Sequence, residues 1–214
     1  MEKTPMELRY GKLGPRVVKA LEGRHFAAWY FDTRADAAEH ALNLIPASGV
    51  ASWGGSMTLA ALGLPGLLVQ RGIPVIDRDA APTPEERVER MRQALLCDTF
   101  LSSANAISED GQLVNIDFMG NRAAAMIYGP RQVIILAGMN KVVKTVEDAM
   151  VRARTIAAPA NAQRVSGCKS PCLETGACEN CRSPDSICTY LVTTRLCRPA
   201  GRIKVILIGK DLGL

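Results

Sequence analysis

The sequence predicts an α/β protein: a mostly parallel sheet with helices on both faces and one inserted hairpin. Three observations lead there. Short apolar strands alternate with helical stretches along most of the chain. Gln132–Ala137 is apolar without polar alternation, as a strand covered on both faces is, and Arg202–Gly209, with Ile-Lys-Val-Ile-Leu-Ile, reads as a last buried strand. Between them and the N-terminal half, Asp110-Gly111 separates two strand-like runs, the signature of a tight hairpin.

The elements follow in order. Leu8–Leu21 carries Leu13, Val17, Val18 and Leu21 at helical spacing. Phe26–Phe31 is a short apolar strand, and Asp32 or Thr33 caps a helix over Ala35–Leu44. Gly49–Trp53 is a second strand that runs through Gly54-Gly55-Ser56 into a helix at Met57–Leu62. Pro74–Ile76 is a third strand. Thr83 and Pro84 start a helix with Val88, Met91, Leu95 and Leu96 on its apolar side. Strand signals fill Thr99–Asp117, with the hairpin arms at Ala104–Ser108 and Gln112–Ile116. Gly120-Asn121-Arg122 opens a helix over Ala123–Tyr128. Thr145–Ala157 is a helix that Pro159 ends, and Arg202–Gly209 is the last buried strand.

Composition narrows the function classes. At 48% apolar residues a chain of 214 can bury a sizeable core. No apolar run reaches the roughly 18–20 residues of a membrane span, and the charged N-terminus has no signal-peptide core. A cytoplasmic protein with reduced thiols is expected. A net charge of +5, few aromatics and no dense basic block do not make a nucleic-acid footprint. A homo-oligomer is left open.

Six of the 7 cysteines fall between Cys168 and Cys197. Thiols gathered this densely around Pro171, Gly176 and Pro184 read as a metal or iron–sulfur loop. Cys178 and Cys181 are two residues apart, close enough for both to reach one ion, and Cys172 and Cys188 complete four ligands. Only one such close pair is present, where zinc normally takes two, and ferredoxin spacing is absent. An iron–sulfur cluster, zinc, a redox dithiol and free thiols all stay open. Basic residues exceed acids from Asn161 to Arg202, as a counter-charge to thiolates or as a solvated surface.

Two further segments point to a small-molecule ligand. At Gly54, Gly55 and Ser56, glycines either let backbone approach a ligand or merely serve the turn. From Ser103 to Arg122, polar residues interrupt strand positions: Asn105, Asn115 and Asp117, with Gly111 at the hairpin and Gly120-Asn121-Arg122 at a helix start. Together these segments are expected to line one crevice at strand ends. His25 and His40 lie outside both, as surface or strand-edge residues, so an acid–base step would fall to Glu109 or Asp117.

The stretches Gly54–Leu59, Ser103–Asp117 and Gly120–Arg122 resemble the LUD domain, the lactate-utilisation protein family, as do Tyr128–Lys141 and Ala157–Asn161. Pro171–Cys188 is similar to the C-terminal cysteine motif of one branch of that family, with Asn180 where Asp is usual and Ser186 where a basic residue is usual. The resemblance covers nearly the whole chain. It implies a fold like the NagB/RpiA/CoA-transferase group. The cysteine region returns to a core-like strand at Arg202–Gly209, so one domain over 1–214 is expected, with the cysteine loop at 165–200. The resemblance also implies a component of a lactate oxidation system working with iron–sulfur partner proteins. The alternative is a binder or CoA-transferase/isomerase-like enzyme for a small acyl or phosphorylated metabolite, with the loop held by structural zinc.

Overall fold

In the computed structural model, which describes residues 2–214, the chain opens on helix α1, Pro5–Gly23. Thr4 starts it: its hydroxyl accepts from the Glu7 N–H at 3.2 Å, and the Glu7 carboxylate accepts from the Thr4 N–H at 2.8 Å. This reciprocal cap and Pro5 place the start before the apolar stripe, earlier than the expected Leu8. Strand β1 (Ala27–Phe31) follows, then α2 (Arg34–Asn43) with Thr33 as its cap. Strand β2 (Ala51–Trp53) leads into α3 (Met57–Ala61) and then α4 (Leu64–Gln70). The sequence reading had no element at α4, because Pro65 and Gly66 mask it; a proline in the first turn costs a helix little. Next come β3 (Val75–Ile76), α5 (Pro84–Gln93), β4 (Thr99–Ser102), β5 (Ala106–Ser108) and β6 (Leu113–Asp117). The chain continues through α6 (Asn121–Ile127), β7 (Gln132–Gly138), β8 (Val142–Val143) and α7 (Val146–Arg152). It closes with α8 (Ala158–Ala162), α9 (Cys172–Thr175), β9 (Tyr190–Thr194) and β10 (Ile203–Ile208).

Six strands form one wholly parallel sheet in the order β1-β10-β7-β4-β2-β3. Its central strands explain the unbroken apolar runs. On one face Val133, Ile135, Val205 and Leu207 pack with Leu13, Val17 and Leu21 of α1. On the other, Ile134, Leu136, Ile206 and Ile208 pack with Ala37 and Ala41 of α2, Leu59 of α3 and Leu68 of α4. Successive side chains point to opposite faces, so a strand covered on both sides is apolar at nearly every position. The expected α/β class is what the chain adopts.

The hairpin is the core of a second sheet, β8-β5-β6-β9. Gly111 takes a φ of 88°, and a Cβ there would lie 2.7 Å from the Ala20 carbonyl carbon of α1. The glycine is thus required both by the turn and by close packing. Strand β9 runs antiparallel to β6 and was not foreseen, since it is short, half exposed and directly behind the cysteines.

Two boundaries differ from expectation. Pro159 does not end the helix at Ala157: α7 passes through a π-helical turn, Ala153–Ala157, into α8. There Pro159 sits in the first turn of α8, where its missing N–H costs least. Leu96 is not on the buried side of α5. That helix stops at Gln93, a tight turn follows, and Leu96 is 88% exposed while Cys97 enters the core. Among the described residues, no helix is long and apolar enough to cross a membrane.

Candidate functional site

The carboxyl ends of β2 and β4 lie side by side, because the two strands pair directly. This brings the Gly54-Gly55 turn against the Ser103–Arg122 segment. The glycines have a specific use here. A Cβ on Gly54 would meet Arg122 Cδ at 3.0 Å, and one on Gly55 would meet Arg78 Nη2 at 2.6 Å. Their missing side chains make room for two arginines. Ser56 points elsewhere: its hydroxyl caps α3, accepting from the Leu59 N–H at 3.3 Å.

Arg122 is fixed by its surroundings. It donates to the Ser103 carbonyl at 3.2 Å, to Asn105 Oδ1 at 3.1 Å and to the Ile116 carbonyl. Asn105 Oδ1 also accepts from the Ile116 N–H at 2.9 Å. Asp117 Oδ2 accepts from the Ala123 N–H at 2.6 Å and so holds the first turn of α6. Around these groups opens a cleft of about 570 Å³. Gly55, Asn105, Asp117, Asn121 and Arg122 line it, as expected, and so do Arg78, Arg87, Asn161 and Arg164, which were not foreseen. Burial, then the charges of Arg87 and Arg164 against those of Asp79 and Asp117, hold the Arg78 guanidinium below its ordinary pKa.

The other expected site residues lie outside the cleft. Asn115 is fully buried and its carboxamide has no hydrogen-bond partner. It shares a face of β6 with Asp117, but the cleft opens only at the strand's end. Gly120 has a φ of 81° and packs against the Tyr190 ring. Gly111 is at the far end of the hairpin, against α1. Glu109 is there too, paired with Lys144 at 2.8 Å. Of the two carboxylates singled out for chemistry, only Asp117 faces the cleft. His40 is half-buried beside the edge strand β1, with the Trp29 and Phe31 ring centroids 4.6 and 5.0 Å away.

Near the same strand ends lies Lys141, only 4% exposed. Its ammonium donates to Thr58 Oγ1 and Ser103 Oγ, both at 3.1 Å, and to the Ala104 carbonyl at 3.3 Å. Burial first, then the charges of Arg152 and Arg122, push its pKa down to about 7.

The cysteine loop forms a second cavity of about 190 Å³. Cys172, Cys178, Cys181 and Cys188 all line it, with Arg154, Pro159 and Leu191. The donor set fits zinc or an iron–sulfur cluster. Among the described residues no three Cys, His, Asp or Glu side chains stand together at metal-holding spacing, so the thiols share a cavity without a formed coordination sphere. Burial, then the neighbouring thiols of Cys172, Cys178 and Cys181, push Cys188 up to about 11. Arg154 lies 4.0 Å from Cys178 Sγ and donates to Asn180 Oδ1. Asn180 has a φ of 49°, a left-handed conformation that Asn tolerates well. Cys197 is apart from the loop, in the core under the main sheet, where its sulfur accepts from the Ile203 N–H. Of the basic excess from Asn161 to Arg202, Arg164 lines the cleft, while the arginine beside the thiols is Arg154, which precedes that stretch. Arg202 instead donates to the Ala125, Met126 and Pro130 carbonyls at the end of α6. The two cavities are neighbours: Ala158 lines both, and Ile187 of the cleft precedes Cys188 of the thiol pocket.

Among solved structures, a DUF162 family protein from Deinococcus radiodurans aligns over 92% of this chain and 97% of its own, with a TM-score of 0.52 and 14% identity. That likeness extends to the fold. A D-ribose-5-phosphate isomerase in complex with phospho-erythronic acid aligns over 51% of this chain and 53% of its own, with a TM-score of 0.36 and 21% identity. The 5-methylthioribose 1-phosphate isomerase of Pyrococcus horikoshii OT3 aligns over 55% and 42%, with a TM-score of 0.34 and 14% identity. The two isomerase likenesses are too low to bear on ligand or chemistry. No curated protein matches the chain. The sequence model of the LUD domain matches residues 14–208, and the chain belongs to the LUD domain family of lactate-utilisation-type proteins.

Proposed function

We propose that this protein is a cytoplasmic component of an iron–sulfur-dependent lactate oxidation system. Cys172, Cys178, Cys181 and Cys188 hold its metal centre, as in the cysteine-bearing branch of the family, and the neighbouring cleft takes a small molecule. One observation carries the reading: the four cysteines chosen by spacing line a single cavity that shares a wall with the cleft. A cluster, when bound, supplies one-electron transfer to iron–sulfur partner proteins. The chain's own residues do the rest. Arg154 offsets thiolate charge, and Ala158, Pro159 and Leu191 limit water at the sulfurs.

A second reading is a small-metabolite binder or CoA-transferase/isomerase-like enzyme with a structural zinc loop. The arginine-rich lining of the cleft favours a bound anion. Any acid–base step there would fall to Asp117. Metal identity separates the two readings. Protein purified anaerobically is assayed for iron, sulfide and zinc and by absorbance, beside a Cys178→Ser/Cys181→Ser variant. Iron and sulfide lost in the variant support the first reading, and zinc lost in the variant supports the second. Equal and negligible metal in both overturns the metal centre.

A further inference from the structure

The cleft carries more positive charge than its own residues neutralise. Arg78, Arg87, Arg122 and Arg164 line it, and Asp117 is the one carboxylate in the lining. Asp79 stands behind, 3.0 Å from Arg87 and 3.6 Å from Arg78. Four guanidiniums against two carboxylates leave two charges unmatched. Arg122 is committed to the protein, donating to two carbonyls and Asn105. Arg78 is not. Its side chain is only 15% exposed, yet its Nε–H has no hydrogen-bond partner and its Nη1 reaches only the Met91 thioether, at 3.6 Å. Its nearest carboxylate oxygen, Asp79 Oδ1, stands at 3.6 Å, too far for a hydrogen bond. A buried charged N–H without a hydrogen bond is costly, and folds retain such groups where a ligand completes them. Gly55 keeps the space this guanidinium occupies.

We propose that the cleft binds a small soluble phosphate monoester, its dianionic phosphoryl group held by Arg78, Arg87 and Arg164. The three arginines come from separate elements: the loop after β3, helix α5 and the segment after α8. A phosphoryl group offers three terminal oxygens at one point to guanidiniums lining one cleft, whereas a dicarboxylate divides its charge between two places. A monocarboxylate such as lactate matches only one of the two free charges. The cleft is also ligand-sized, about 570 Å³ against the roughly 300–1,000 Å³ usual for organic ligands. Met91, Ile116 and Phe118 offer apolar walls to the organic part, and Asn121 and Asn161 offer carboxamides to hydroxyls. The inference rests on the cleft being a ligand site, as in the function proposed above, and is independent of what the cysteines hold.

The test is calorimetric titration of the full chain with inorganic phosphate, glycerol 3-phosphate, succinate and lactate. Both phosphates should bind, and succinate and lactate should bind at least about tenfold more weakly. Arg78→Gln and Arg164→Gln should each weaken phosphate binding by about 10-fold to 100-fold, the loss of one charge-assisted hydrogen bond. Arg92→Gln, 73% exposed and outside the cleft lining, should leave it unchanged. Arg164 is exposed at the rim, so its variant keeps the test intact if Arg78→Gln fails to fold. No phosphate binding at millimolar concentration overturns the proposal. So does succinate or lactate equal to phosphate, or wild-type affinity in the arginine variants. Metal content measured on the same samples separates the two readings. Phosphate binding retained in Cys178→Ser/Cys181→Ser supports this proposal whatever becomes of the metal centre, and its absence in metal-loaded wild type refutes this proposal alone.

Discussion

Replacing Lys141 with methionine removes a buried amine that costs the fold stability at neutral pH. The ammonium has three oxygen partners, Thr58 Oγ1, Ser103 Oγ and the Ala104 carbonyl, and none of them is a carboxylate. Its pKa falls from 10.5 to about 7 in the fold. At about 1.4 kcal/mol per pH unit, that gap is a penalty on the order of 5 kcal/mol. The unfolded chain keeps the proton up to about pH 10.5, and the folded chain releases it near pH 7. Between those values the unfolded state binds more protons, so stability rises with pH. The penalty is complete below about pH 7 and relieved only above about pH 10.5. From about pH 6 to about pH 9, roughly 3 kcal/mol of it should disappear. Methionine fills similar volume and gives up three hydrogen bonds worth about 1 kcal/mol each. The variant should therefore exceed wild type by about 2 kcal/mol near pH 6 and lose that advantage near pH 9. Urea melts across the range measure this. At a slope of about 2 kcal/mol per molar, the wild-type midpoint should climb by about 1.5 M relative to the variant. Because other groups titrate in both proteins, the difference between the two isolates Lys141. A difference that does not change with pH would refute the reasoning.

Other substitutions probe the rest of the site. Gly55→Ala puts a Cβ 2.6 Å from Arg78 Nη2, the movable end of a side chain. Melts should shift by less than about 0.5 kcal/mol while phosphate affinity falls by about tenfold or more. Glu109→Gln breaks a surface pair with Lys144 and should cost under about 1 kcal/mol, with phosphate titration unchanged; lost binding would return Glu109 to the site. Gly14→Ala brings a Cβ 2.1 Å from Tyr30 Cδ2, where α1 crosses β1, and should destabilise by about 1–3 kcal/mol or more in urea.

Elements whose burial is written in their own residues were readable without the fold. Gln132–Ala137 has no polar residue after its first because both faces of β7 are covered. Asp110-Gly111 announces its hairpin because the turn needs a positive φ, which Gly111 supplies. The cysteines could be grouped because ligands of a loop site lie close in sequence, and Cys172, Cys178, Cys181 and Cys188 do share a cavity. Cys197, outside the four chosen by spacing, lies in the core under the main sheet.

The cleft was legible in half. Asn105 and Asp117 stood out as polar residues in apolar surroundings, Asn121 and Arg122 as the helix start after Gly120, and the pairing of β2 with β4 brought Gly55 to them. Asn115 stood out for the same reason, yet it is enclosed, because alternation gives the face of a strand and not where a cavity opens along it. Arg78, Arg87 and Arg164 carried no local signal. Arginine is ordinary on a surface, and nothing in its neighbours shows that Arg78 and Arg87 will line one cleft with Arg164 from the segment after α8. One hint was available, since Arg78 closely follows the carboxyl end of a parallel strand, where α/β sheets place their ligands. Periodicity and turn chemistry report what one segment buries, so they reach class, strands and hairpin. Charge summed over a cleft depends on which segments meet, and the packing of the whole chain alone decides that.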